Sequence, residues 1–521
     1  MLTKQILSDF FCIKPAKSLT LHFEIRKPII DLAMKSSNYI YIVVALMFFV
    51  LGELTMKAQN QVKLIFTGEV NVGNNYGMRY QQQVDAEKIF ANVTDKLKSA
   101  NAAFGTLGTV LIDADGTPNK ANMIGTRKLI RMSADYATSL AQSGFTALSL
   151  ANSHVSDFGV EGVQTTMNAI QANNIEFAGL KSLQEYKVFD RGGLKYGFIA
   201  FGTSIHTLSM SDSTTIRQLV AGLDDQCDIV VVAFSFNETE SSLKSGLNPS
   251  TNRNLFMNCA IAFAHTCIDA GADVVYGNGH NLPQPLELYK DKLIIYGLGN
   301  FCTPYGATYM GEMGAAPMIE ANVFTDGTFK DGHIISYRQQ NVTGPHLDAS
   351  NEALKIIKAQ TTRFFPKTPL QIEDNGAIIS TSESAYAVAL KILAEAQTHK
   401  GKRYRYGTMG PTTFDCSGFT GFVFAKFGYK LNRSAAGQYQ QGTPVDRKNL
   451  RPGDLVFFTR SSVHGAGHVG IVYSVDKKNN NFKFIHAAVS KGITIDDFGT
   501  SAYYIKRYVG AKRVIDVLPH E

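Results

Sequence analysis

Tryptophan is absent from this chain, so any platform for a sugar ring or a peptide must be built from its 22 tyrosines or 33 phenylalanines. No stretch pairs dense lysine and arginine with aromatics, and the formal net charge of +7 is spread thinly over 521 residues. Nucleic acid is therefore a poor partner, while a polyanionic cell-envelope surface is tolerable. No CxxC pair and no HExxH segment offers a zinc site. Internal repeats and long low-complexity tracts are also lacking. The apolar run near the N-terminus covers only residues 39–52, too short for a comfortable membrane span.

What remains describes a soluble globular protein: 45% hydrophobic and 18% charged residues, enough to bury sizeable cores. The length exceeds one ordinary domain, and two are expected. The short apolar run follows Met34 and Lys35 and gives way to a polar stretch, the pattern of a secretory signal with cleavage after Ala58. Met56 is bulky for the minus-three position, so an uncleaved N-terminal anchor is the competing expectation. The residues before Met34 read awkwardly for a leader, which makes Met34 an alternative start. No lipobox precedes Cys12. Residues 1–58 are thus expected to be leader, and the protein to be exported to the periplasm or cell surface.

Without the leader, five cysteines remain: Cys227, Cys259, Cys267, Cys302 and Cys416. An odd number leaves at least one free thiol. Cys259 and Cys267 share one predicted helix at a spacing too long for a bridge to each other.

The body divides in two. In residues 59–381, nearly continuous apolar runs ("KLIFTGEV", "FTALSLAN", "YGFIAFG", "DIVVVAFSF", "DVVYGNGH", "KLIIYGLGNF") read as strands buried on both faces. Helical stretches ("RKLIRMSADYATSLAQSG", "NLFMNCAIAFAHTCIDAG") lie between them and stop at Gly. A helix ("NEALKIIKAQTTRFF") and a hairpin ("LQIEDNGAIIS") close this α/β domain. Residues 382–521 open with a helix capped by Ser382 or Ser384, then a helix containing Cys416, then three strands, "DLVFF", "HVGIVYSV" and "FKFIHAAV". That is a small α+β domain.

Cys416 lies between Asp415 and Ser417, where a helix should begin. Asp415 is a good N-cap, which puts Cys416 at the positive end of the helix dipole, where a thiolate is favoured. Gly418, Gly421 and Ala425 keep the helix slim. A lone cysteine is more often a small core hydrophobe; a nucleophile needs an imidazole and a group to orient it. The turn Asp476 to Asn481 makes a hairpin of the two strands that carry His468 and His486, a few positions out of register. If both face the cysteine helix, Cys416, His468 and His486 form a Cys–His–polar triad. His464 competes with His468 as base but falls in a glycine-containing loop. Asp454 reads as a turn residue with a structural role.

These segments ("YRYG", "FDCSGF", "LNRSAAGQ", "GTPV", "LRPGDLVFF", "HVGIV", "FIHAA") resemble the NlpC-type cell-wall cysteine peptidases, a papain-like family. The resemblance implies Cys416 as nucleophile, His468 as base and His486 as the residue orienting it. It implies Tyr404 near the substrate and oxyanion, and Asp415 and Ser417 holding the free amine of a stem peptide. Thr408 in place of a usual Gly, Asn432 in place of a usual Pro, and a lengthened "SSVHGAG" depart from the pattern.

The first domain resembles the CapA-like proteins of poly-γ-glutamate capsule synthesis, whose fold is metallophosphoesterase-like, through "FTGEVNVG", "SLANSHVSDFGVEG", "VVAFSFNE" and "VVYGNGHNLPQPLELYKDKLIIYGLGNF". The departures fall on the metal positions: Glu69 for an Asp, Ser153 for an Asn, Ser235 for a His, and Gly279 and Asn281 for two histidines. The expectation is a fold kept without metal or other cofactor, although Glu69, Asn152, His154 and His280 could form a reduced site. The implied architecture is an α/β sandwich followed by a papain-like α+β domain. The implied activity is an amidohydrolase, a γ-D-glutamyl–diamino acid endopeptidase acting on peptidoglycan stem peptides. A poly-γ-glutamate hydrolase and an inactive peptidoglycan-binding protein are the alternatives. The oligomeric state is left open.

Overall fold

The apolar run Gln61–Val70 becomes a strand because both of its faces are covered. Its parallel neighbour is Ala102–Leu107 and its antiparallel neighbour Ala315–Phe324. The computed structural model describes residues 61–75, 86–113, 118, 129–236, 253–303, 311–340, 344–460, 465–477 and 479–515. The leader, Met34, Cys12 and His464 lie outside the described residues.

The first sheet runs from Leu370–Ile372 through Ala377–Ser380, Phe329–Gln340, Ala315–Phe324, Gln61–Val70, Ala102–Leu107 and Ala147–Ser149 to Glu176–Ala178. The second runs from Leu208–Ser209 through Leu194–Gly202, Ile229–Ser235, Val274–Asn278 and Lys292–Ile295 to Leu286–Tyr289. Val62, Leu64, Phe66 and Phe104 of the first sheet share one buried cluster with Phe198, Val231 and Tyr276 of the second. The rings of Phe66 and Tyr276 lie 5.2 Å apart, and the Tyr276 hydroxyl donates across the seam to the Gly105 carbonyl at 2.9 Å. Helices Ala86–Lys98 and Tyr136–Ser143 contribute to the other face of the first sheet, Ser213–Asp224 and Arg253–Asp269 to that of the second. The result is an α/β sandwich.

One expected helix is shorter than its pattern. Within 127–144 only Tyr136–Ser143 is helical, ending at Gly144 in the left-handed region (φ 105°). Ile130–Met132 is instead a strand paired with Asn74–Asn75 and Val110–Leu111. Tertiary pairing overrode a weak helical periodicity there.

Beyond Ser384, whose side chain accepts from the Ala387 N–H at 3.2 Å, the helices Ala385–Thr398 and Cys416–Ala425 pack on a sheet. That sheet has six strands where three were expected, in the order Thr443–Val445, Tyr508–Arg513, Leu455–Phe458, His468–Asp476, Asn481–Ala488, Gly492–Asp497. All neighbours are antiparallel.

The chain passes from the last strand of the first sheet to the helix at Ala385 through residues 381–384. Thr381 N–H donates to the Pro369 carbonyl at 2.9 Å, fixing the start of this connection. Tyr386 is buried with its ring 5.2 Å from Phe324, and its hydroxyl lies 3.3 Å from Thr325 Oγ1. Lys477 Nζ lies 3.4 Å from Asp224. Gln61–Glu521 form one compact unit. All five cysteines of the described residues are free thiols, and no helix among those residues is long and apolar enough to cross a membrane.

Candidate active site

Asp415 is extended (φ −91°, ψ 178°), and its carboxylate accepts from the Gly418 N–H at 2.7 Å, so the helix begins at Cys416. Such a cap contributes about 1 kcal/mol. A Cβ on Gly418 would sit 2.2 Å from the Thr408 carbonyl oxygen, so only glycine admits the 408 loop here. Gly421 has no such constraint: its nearest neighbour would be Gln438 Nε2 at 3.9 Å. Of the two glycines, the expected need for slimness holds at Gly418 and not at Gly421. Gln438 has no exposed surface and ties the helix to the following loop. It donates to the Ser417 and Asn432 carbonyls at 3.0 and 2.8 Å and accepts from Thr420 Oγ1 at 2.7 Å.

The Cys416 thiol is 4% exposed and packs in the cluster that contains Phe414, Phe419, Val469, Ile471, Ile485 and Ala487. His468 and His486 lie among Phe458, Phe484 and Tyr504. Along their strands the two imidazoles alternate with the residues that pack against the cysteine helix. They are joined to each other: His468 Nε2 lies 2.9 Å from His486 Nδ1. The offset comes from the ladder, in which Ile471 faces Ile485 and Val472 faces Phe484. Among the described residues no hydrogen bond joins the Cys416 sulfur to His468.

The link between the two halves of the site is Arg460. Its Nη2 donates to the Tyr404 hydroxyl at 2.9 Å and lies 3.7 Å from Cys416 Sγ. Its charge also reaches His468. Burial, the adjacent His486 and the Arg460 guanidinium together hold that imidazole far below its ordinary value, with Asp496 opposing them. His468 thus rests neutral.

Asp496 decides which ring nitrogen of His468 is free. Its Oδ2 lies 3.1 Å from His486 Nε2, and Lys491 holds its other oxygen at 3.0 Å. The His486 hydrogen bond and Lys491 outweigh desolvation and keep the Asp496 carboxyl down at about 2, so it is an acceptor. His486 Nε2 must then carry the proton, which makes its Nδ1 the acceptor for an N–H on His468 Nε2. The lone pair of the pair falls on His468 Nδ1.

Asp415 and Ser417 are clamped by Arg433. Its Nη2 reaches Asp415 Oδ2 at 2.6 Å, and its Nη1 reaches Asp415 Oδ1 at 3.1 Å and Ser417 Oγ at 3.2 Å. The Gly407 N–H also donates to Asp415 Oδ2, at 2.8 Å. Burial works against the Asp415 carboxylate, but Arg433 and the two backbone N–H groups hold it below the usual carboxylate range. A substrate amine would meet a carboxylate already shared with these donors.

Sequence reasoning passed over Arg460, Asp496 and the Arg433 clamp. Asp496 was accessible in principle: a tight turn after Ala488 pairs His486 with Thr494, and Asp496 follows two positions along. Arg460 sits in a loop and gave no periodic signal.

In the first domain the strand ends gather Glu69, Thr106, Ser235 and Asn278 in neighbouring registers. Asn278 donates to Thr106 Oγ1 at 2.7 Å. Three residues of the expected reduced site have partners of their own. His154 Nδ1 lies 2.7 Å from Asp157, Asn152 accepts from His154 N–H at 2.7 Å, and His280 Nδ1 meets the Leu282 N–H and Gln284. No group of three or more His, Cys, Asp or Glu among the described residues is arranged to hold a metal ion. The buried amide oxygens of Asn71 and Asn278 have no partner among the described residues, so beside the single Glu69 carboxylate the strand ends offer neutral oxygens rather than a cluster of carboxylates and imidazoles. This donor set does not fit a metallophosphoesterase centre.

Comparison with known proteins agrees with the two folds. Residues 63–305 match the family "Bacterial capsule synthesis protein PGA_cap", and residues 401–513 match the NlpC/P60 family. The "Probable endopeptidase p60" of Listeria innocua is 47% identical over 103 residues, 19% of this chain and 22% of that protein. The "Capsule biosynthesis protein CapA" of Bacillus anthracis is 25% identical over 313 residues, 53% of this chain and 70% of that protein. The "Gamma-DL-glutamyl hydrolase" of Bacillus subtilis is 35% identical over 126 residues, 24% of this chain and 28% of that protein. The chain thus spans less than a quarter of the length of the p60 protein it matches. Its mixed α/β architecture is that of a metallophosphoesterase-like domain followed by a papain-like α+β domain, and the chain joins a PGA_cap/CapA-like region to an NlpC/P60 cysteine-peptidase-like region.

Proposed function

We propose that this chain is an exported bacterial cell-wall hydrolase, a cysteine endopeptidase cleaving γ-D-glutamyl–diamino acid bonds of peptidoglycan stem peptides. The carrying observation is the Asp496–His486–His468 relay, which ends in an unprotonated ring nitrogen within the field of the arginine that touches the Cys416 thiol. Similarity to an endopeptidase supports peptide-bond cleavage, and the leader pattern supports action outside the cytoplasm.

In this reading His468 Nδ1 takes the thiol proton as substrate seats and the two side chains close up. The thiolate adds to the γ-carbonyl carbon, and backbone N–H groups at the helix head, with Tyr404, face the oxygen that becomes negative. The His468 imidazolium returns its proton to the leaving amine, the C–N bond breaks, and a thioester remains. Water, deprotonated by His468, then releases the glutamyl carboxylate and restores the thiol. Arg433 holds Asp415 and Ser417 at the helix head. The first domain acts as a binding or positioning module.

A second reading directs the same chemistry at poly-γ-glutamate. It is favoured by the presence in one chain of similarity to CapA and to a γ-DL-glutamyl hydrolase. Purified stem peptides and poly-γ-glutamate, digested separately and weighed by mass spectrometry, separate the two. Cys416→Ala and His468→Ala should each abolish product on the preferred substrate, and cell fractionation should find the protein outside the cytoplasm. Wild-type protein inert on both substrates would instead favour a peptidoglycan-binding role.

A further inference from the structure

Arg460 is the charge that contacts the nucleophile directly. It is exposed, and among the described residues a single nitrogen, Nη2, makes both of its side-chain hydrogen bonds, to the Tyr404 hydroxyl and the Cys416 sulfur. The other arginines of this domain that meet a buried aspartate are occupied: Arg433 by Asp415, and Arg513 by Asp454. No carboxylate among the described residues pairs with Arg460, so the remainder of its planar fork points to an acceptor from outside the protein.

A γ-glutamyl bond supplies one. When glutamate is linked through its side chain, its α-carboxylate stays free, four bonds from the carbon under attack. A reacting carbonyl sits about 3–3.5 Å from the nucleophile, and the guanidinium is 3.7 Å from that same sulfur. A carboxylate four bonds along the substrate therefore falls within reach of the fork. An α-peptide bond carries a carboxylate at that separation only where its own residue is glutamate, and an amidated α-carboxyl group offers one acceptor oxygen and no charge.

Resting on the endopeptidase reading, we infer that Arg460 is a specificity-determining residue that binds the free α-carboxylate of the γ-linked glutamyl residue whose bond Cys416 cleaves. The substrate class is γ-glutamyl chains with that carboxylate unamidated, whether in a wall stem peptide or a γ-glutamate polymer.

The test uses the full chain and two synthetic γ-D-glutamyl peptides that differ only in an α-carboxylate or an α-carboxamide. Wild-type kcat/KM should favour the carboxylate by roughly tenfold or more, as expected for a charge-assisted contact. Arg460→Gln should bring that ratio close to one, and Arg460→Lys, which keeps the charge without the fork, should restore part of it. A parallel fall of both rates in Arg460→Gln with the ratio intact would overturn the inference, since the guanidinium would then serve the thiolate rather than the substrate. A wild-type ratio of one overturns it as well. Wild-type protein that cuts neither peptide overturns the endopeptidase reading with it.

Discussion

His486 has no exposed surface, and His468 is nearly as deep, so neither imidazole takes up a proton readily. Burial lowers both, and at His468 the neighbouring His486 and Arg460 add to it. A base whose folded value lies below its ordinary 6.5 keeps its lone pair as pH falls through that value. The acid limb of kcat/KM, which reports the free enzyme's base, should therefore have its midpoint below 6.5. Asp496 is the charge that favours the imidazolium, so Asp496→Ala should move the limb further into acid. It should also lower kcat by letting His486 change tautomer. That loss should stay smaller than the about 10²–10⁴-fold expected for removing the base itself with His468→Ala. A limb at or above 6.5, or one that rises in Asp496→Ala, contradicts the tautomer chain.

At the scale of elements, the six-stranded sheet is pinned by a buried ion pair. Asp454, 2% exposed, receives Arg513 Nε and Nη2, each at 2.9 Å, together with the Arg451 N–H at 2.8 Å. Arg513 ends the strand Tyr508–Arg513, which pairs with Leu455–Phe458, so the pair staples two neighbouring strands at one end. Asp454→Ala leaves a largely buried guanidinium short of its partner and should cost about 3–5 kcal/mol in urea unfolding. A cost near zero would mean that Asp454 is only the turn residue its sequence context suggests. How legible this was depends on the kind of element. The strands of the first domain are runs such as "DIVVVAFSF", whose burial on both faces leaves an unmistakable apolar block. The start of the helix at Cys416 was legible from its Asp415 cap. Thr443–Val445, Gly492–Asp497 and Tyr508–Arg513 were missed because their residues are largely exposed or half-buried, so composition does not mark them. Asp496 was lost with its strand. The face on which the histidines stand was set by pairing between strands, which no single strand records.

For the whole molecule, the first domain keeps a metallophosphoesterase-like frame around a strand-end set with one carboxylate, Glu69, and otherwise neutral oxygens. Purified protein should hold no stoichiometric Mn, Fe or Zn by elemental analysis, and chelators should leave both its melting temperature and its hydrolysis unchanged. One metal per chain, lost together with stability on chelation, would contradict that reading. The connection between the domains carries a different consequence. Residues 381–384 extend to about 14 Å at most, Thr381 is hydrogen-bonded to Pro369, and the Tyr386 ring is buried against Phe324. A peptidase on a long flexible linker samples a cloud of positions, and its effective concentration at a neighbouring site falls as that cloud widens. Here the cloud is collapsed almost to a point. If the first domain holds the same polymer, as proposed, Cys416 would meet it at one fixed stride along the chain, and the spacing of cuts would depend on the Tyr386 contact as well as on the catalytic groups.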